Sequence, residues 1–168
     1  MATVDEQIEN CLRQLQNLED IDPFYLNGPL QKLRHFVMFV HTRMEVSMEI
    51  FIGDYLFEGS PLLSKIESNR VYRSRLASVI EEMDFVKKIN VLQKIKKIDS
   101  DTASSLFKVN QYRVAFSHPS AKIGEIKEFD DDNKYLEALK TLIKIYEKFD
   151  ALFVSLKLPE ELKEDLKP

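Results

Sequence analysis

A single cysteine and only four glycines among 168 residues remove several classes of protein at once. The lone Cys11 excludes a disulfide framework and any cysteine-based zinc cage. So few glycines exclude a collagen-like or low-complexity chain, and neither GxxxxGK[ST] nor GxGxxG occurs, so no glycine loop cradles a phosphate. No apolar run approaches the roughly 20 residues of a membrane span. Residues 1–10 are polar and acidic, unlike a signal peptide, and a soluble cytoplasmic protein is the expectation. What is present is ordinary for a globular chain: 44% hydrophobic and 31% charged residues, enough apolar material for a core and too much for a disordered chain. The length suits one domain.

Charge is unevenly spread. Residues 1–69 carry five lysines and arginines against eleven acids, residues 70–118 ten against five, and residues 119–168 nine against twelve. A chain with a net charge of −4 is a poor non-specific binder of nucleic acid. The middle third nonetheless holds Arg70, Arg73, Arg75, Lys87, Lys88, Lys94, Lys96, Lys97 and Lys108. These form either a basic face or, more simply, a solvated helix surface.

Nearly every segment has helical periodicity. In residues 3–18, Val4, Ile8, Cys11, Leu12, Leu15 and Leu18 form one stripe behind Thr3. Two prolines and an Asn-Gly interrupt residues 21–29. Residues 30–57 then read as one long central helix through Leu33, Phe36, Val37, Val40, Met44, Met48, Phe51, Ile52 and Tyr55. Further helices are expected over 62–69, 70–83, 85–98 (capped by Asp84), and from Ser100 or Asp101 toward His118. Residues 119–133 form a loop whose end is acidic, and residues 133–156 a last strong helix with Leu136, Leu139, Leu142, Ile143, Tyr146, Phe149, Leu152 and Phe153 inward. Alternating β-branched runs are absent. The expected architecture is an all-α antiparallel bundle of about five to seven helices in a single domain spanning 1–168.

Chemistry has few places to reside. The three histidines, at 35, 41 and 118, have no metal-ligand spacing, no HExxH occurs, and Glu45 and Glu49 lack the Glu-x-x-His of di-iron bundles. No metal or cofactor is expected. Arg34 and His41, seven apart, share one face of the long helix, where a polar edge or a hydrogen-bonded core histidine suffices. Glu45 and Glu49 read as a solvated edge, and Tyr112 and Phe116 as core or dimer contacts. Asp130, Asp131 and Asp132 suit the N-terminus of the following helix.

Arg113 and His118 stand apart, in the run FKVNQYRVAFSHP at the end of an amphipathic helix. Arginine is a permanent cation suited to a phosphate, and histidine titrates near neutrality, so the pair suits cleavage of an RNA phosphodiester. Positions five apart on an ideal helix diverge by about 140°, so a bend or a second protomer would have to bring two such groups together. The simpler alternative is a helix-end pair, with the histidine cation complementing the helix C-terminus.

Arg113-x-x-x-x-His118 after an apolar helix, preceded by Phe85, Lys88, Ile89 and Leu92 in a Phe-x-x-Lys-Ile-x-x-Leu pattern, resembles the HEPN superfamily. The likeness is greatest to its stand-alone branches of the mannitol-operon repressor type. It covers residues 28–156, with 1–20 as an added helix and 157–168 as a polar tail. The resemblance implies a dimer whose Arg113 and His118 line one composite cleft through the helix that ends at His118. It implies either a metal-independent endoribonuclease of a toxin–antitoxin or defence system, or a catalytically silent domain that binds RNA or a partner protein. The position after the arginine, usually polar in that family, is Val114.

Overall fold

The computed structural model describes residues 2–19, 28–57, 74–75, 78–117, 126, 129 and 131–155. Within them the chain forms α1 (Val4–Glu19), α2 (Pro29–Phe57), α3 (Phe85–Lys94), α4 (Ser100–Ser117) and α5 (Asp132–Ser155). Residues 78–81 add one helical turn ahead of α3, and no strand occurs among the described residues. The expected helices over 62–69 and most of 70–83 lie outside the described residues. The all-α bundle is thus the observed architecture.

Local chemistry explains where each helix starts. Thr3 and Glu6 form a reciprocal capping box: the Glu6 amide donates to Thr3 Oγ1 at 3.3 Å and the Thr3 amide to the Glu6 carboxylate at 2.8 Å. Asp84 caps α3 by accepting from the Lys87 amide at 2.7 Å, as its position predicts. For α4 the cap is Asp99, one or two residues earlier than the sequence suggests. Its carboxylate accepts from both the amide and the hydroxyl of Thr102, and these bonds hold it well below the usual carboxylate range. Asp131 accepts from the Asn133 amide at 2.8 Å and starts α5.

Helix α3 stops at Lys94, short of the expected 98. Lys97 N donates to the Leu92 carbonyl and Lys96 N to the Gln93 carbonyl, both at 3.0 Å. This is a Schellman closure with Lys96 in the left-handed conformation at φ 58° where glycine is the usual occupant. The early stop turns Ile98 back into the core.

Helix α2 is the axis of the bundle and packs against α3, α4 and α5, while α1 lies on α5. Leu33, Phe36, Val37, Val40, Met44, Met48, Phe51 and Ile52 are all buried, as their spacing predicts. Tyr55 is the exception and is exposed. From α5, Leu136, Leu139, Leu142, Ile143 and Phe149 meet them. Each fully buried side chain of this kind contributes about 1.5–3 kcal/mol. The segment read as an acidic loop also supplies core: Ile126 and Phe129 are buried, and Phe129 stacks on Phe116 with centroids 5.2 Å apart and meets Tyr112 edge-on at 5.4 Å. Tyr112 and Phe116 therefore serve as packing rather than as an open stacking platform.

Candidate functional site

Where α2, α3 and α4 meet, the core turns polar. Lys88 of α3 is 1% exposed, yet it lies on the apolar stripe between Phe85, Ile89 and Leu92. Its Nζ donates to Glu49 Oε1 at 2.6 Å and to Glu45 Oε1 at 3.0 Å, both on α2 one turn apart. Burial alone would pull its pKa down, but the hydrogen bonds and charges of Glu49 and Glu45 outweigh it and hold the ammonium above its usual value. The two glutamates are therefore not a solvated edge. They are the counter-charge of a buried lysine, and spacing of four along one helix face is what lets both reach it.

One turn N-terminal of Glu45, His41 is buried at 6% exposure and stacks on Phe85, ring centroids 4.0 Å apart and planes 19° from parallel. Its Nε2 has no hydrogen-bond partner among the described residues. Burial pushes its pKa below 6.5, assisted by the charges of Arg113 and Lys88 and opposed by Glu45 and the Asn110 side chain. At neutral pH the imidazole is uncharged.

Arg113 approaches the same junction from α4. It is half-buried, and its Nε is buried without a hydrogen-bond partner among the described residues. Because Arg113 acts on His41 across the α2–α4 contact, the two nitrogen-rich side chains share one neighbourhood within a single chain. Glu45, whose charge also acts on His41, is engaged together with Glu49 by Lys88. Val114, next to Arg113, is 40% exposed. His118 lies outside the described residues; α4 ends one residue before it, where the Ser117 hydroxyl donates to the Arg113 carbonyl at 2.8 Å.

The chain matches no family model, no curated protein and no solved structure. Its chemistry rests on its own residues. The junction combines a half-buried guanidinium, a neutral imidazole able to accept a proton, and a buried lysine hydrogen-bonded to two glutamates. No group of three or more metal-ligating side chains occurs among the described residues. No described helix is long and apolar enough to cross a membrane.

Sequence reasoning picked out Arg113 and weighed His41 as a core histidine. It read Lys88 as part of a basic surface and missed its pairing with Glu45 and Glu49. The signal was present: Phe85, Lys88, Ile89 and Leu92 fall at i, i+3, i+4 and i+7, so a lysine at the second place must face the core.

Proposed function

We propose that this chain is a HEPN-like protein that acts on RNA as a metal-independent endoribonuclease, working as a homodimer in the cytoplasm within a toxin–antitoxin or defence system. The observation that carries the reading is the state of Arg113. This arginine, singled out by its spacing to His118, is a half-buried guanidinium beside a neutral His41, and its Nε has no hydrogen-bond partner among the described residues. A planar guanidinium held in that way suits two non-bridging phosphate oxygens and the charge that grows on them during displacement. In the reaction the RNA 2′-oxygen forms a bond to phosphorus and the bond to the 5′-oxygen breaks, leaving a 2′,3′-cyclic phosphate and a 5′-hydroxyl. One proton leaves the 2′-oxygen and one reaches the 5′-oxygen, and His118 performs one of these transfers.

The exposed Val114 favours a second reading, a catalytically silent regulatory domain that binds RNA or a partner protein, because an apolar group stands on the surface beside the arginine. Incubating the purified protein with single-stranded RNA in excess chelator separates the two. Cyclic-phosphate products that disappear in Arg113→Lys and His118→Ala support the enzyme. Binding of RNA without cleavage supports the silent domain.

A further inference from the structure

Building on the reading of Arg113 as a phosphate ligand, we propose that His41 of the same protomer is the second phosphate-holding group, and that it takes up a proton as the phosphate binds.

Buried polar groups are nearly always hydrogen-bonded, so each exception calls for a reason. Among the described residues there are two such side-chain atoms, His41 Nε2 and Arg113 Nε, and both belong to the α2–α4 contact. His41 is 6% exposed and held against the ring of Phe85, and Arg113 is half-buried beside it. Two exceptions side by side point to a ligand shared between them. Glu45, one turn from His41, keeps 35% of its side chain in solvent, so the pair lies just beneath the surface, within reach of a small anion.

Hydrogen-bonding capacity and charge identify that ligand. Arginine Nε only donates, and in an imidazolium both ring nitrogens donate, whichever tautomer the neutral ring adopts. The common partner of a guanidinium and an imidazolium is therefore an acceptor. Its sign follows from the charges present. With His41 neutral, Lys88 and Arg113 balance Glu45 and Glu49. One more proton leaves a single positive charge in excess, and a buried charge is unfavourable unless it is paired. The groups that act on the ring are Glu45 on α2, Lys88 on α3, and Arg113 with the Asn110 side chain on α4. Glu45 and Asn110 favour the imidazolium, and the two cations oppose it. Glu45 already accepts from Lys88 at 3.0 Å, and Lys88 is 1% exposed with Glu49 as its other described partner. A diester phosphate brings one negative charge and two acceptor oxygens, which restores the balance and gives each bare nitrogen a charge-assisted bond. By reciprocity, the anion favours the proton on His41 by the same factor as the proton favours the anion.

Dimethyl phosphate is the probe, a diester monoanion that does not titrate near neutrality and has no 2′-hydroxyl to react. NMR of the imidazole resonances at constant ionic strength follows His41 through a pH titration of the wild-type chain, with no change to its core. Saturating diester should raise the His41 pKa by about one pH unit, which is the same coupling as about tenfold tighter binding in mild acid than in mild alkali. Arg113→Gln should abolish that rise. His41→Gln, with its fold checked by far-UV circular dichroism, should bind the diester weakly and equally at both pH values. A His41 pKa indifferent to the diester, the result if Glu45 alone answers the proton, would overturn the proposal. So would a rise of the same size in Arg113→Gln, or a wild-type affinity independent of pH. No bond is cleaved in these assays, so the coupling can fail while RNA cleavage stands, and can stand in a protein that leaves RNA intact.

Discussion

Replacing Lys88 by methionine isolates the electrostatic part of the buried junction. Methionine keeps most of the stem that fills the space between Phe85, Ile89 and Leu92, so little packing is lost. What goes is the ammonium, with its bonds of 2.6 and 3.0 Å to Glu49 and Glu45. Removing one member of a fully buried ion pair costs about 3–5 kcal/mol, because the other charge is stranded. Here the glutamate side chains keep 35% and 26% of their surface in solvent, so water recovers part of their hydration. The expected cost is therefore lower, about 2 kcal/mol, or roughly 4–8 °C in Tm for a chain of this size. Lys88→Ala should cost more, because it also loses about three methylenes at ~0.8 kcal/mol each and leaves a cavity. Adding Glu45→Gln and Glu49→Gln to Lys88→Met should recover most of the loss by relieving two unpaired carboxylates. The alkaline limb follows from the raised pKa of Lys88. Its contribution is complete below the unfolded lysine value, about 10.4, and vanishes as pH climbs through the higher folded value, so wild type and Lys88→Met converge there. Urea denaturation followed by circular dichroism measures all of this. A Lys88→Met protein as stable as wild type at neutral pH would refute the reasoning.

Three further outcomes follow from the same geometry. The depressed pKa of His41 means that the unfolded chain holds the extra proton, so its contribution to stability is complete above about 6.5 and falls as pH drops; His41→Gln should flatten the decline in Tm between neutral and mildly acidic pH. Lys96→Gly should raise stability by about 1 kcal/mol in thermal or urea denaturation, since glycine removes the left-handed strain at φ 58° that ends α3. The carboxylate of Asp99, held well below its usual range by Thr102 and Lys148, stabilises the fold above the unfolded aspartate value and ceases to do so as pH falls through the folded one. Asp99→Asn should therefore lower Tm at neutral pH and make less difference in strong acid.

The apolar scaffold was open to reading from the sequence because helical spacing and burial have the same cause. The eight core positions of α2 from Leu33 to Ile52 are buried for that reason. Tyr55, near the end of α2, stays exposed, with the Lys97 ammonium over its ring 5.9 Å from the centroid. The start of α4 was misplaced because Asp99, Ser100 and Asp101 are all competent caps, and only the backbone decides which one meets Thr102. Ile126 and Phe129 were hidden in a run of acids, whose average polarity masks two buried side chains. The polar junction was legible only in part. Arg113 announced itself through its spacing to His118, but the Lys88–Glu45 and Lys88–Glu49 bonds join residues 43 and 39 positions apart. No local pattern specifies such a pairing; it arises when α2 and α3 dock.

The most direct test of the functional reading is the chemistry of the RNA ends. In excess chelator, the wild-type protein should convert single-stranded RNA to fragments ending in 2′,3′-cyclic phosphate and beginning with 5′-hydroxyl. His118→Ala should reduce the rate by roughly 10²–10⁴-fold through the loss of proton transfer, and Arg113→Lys should lose most activity because a point-charge ammonium cannot replace the planar fork. RNA left intact by folded wild-type protein, or cleavage equal in all three proteins, would contradict it.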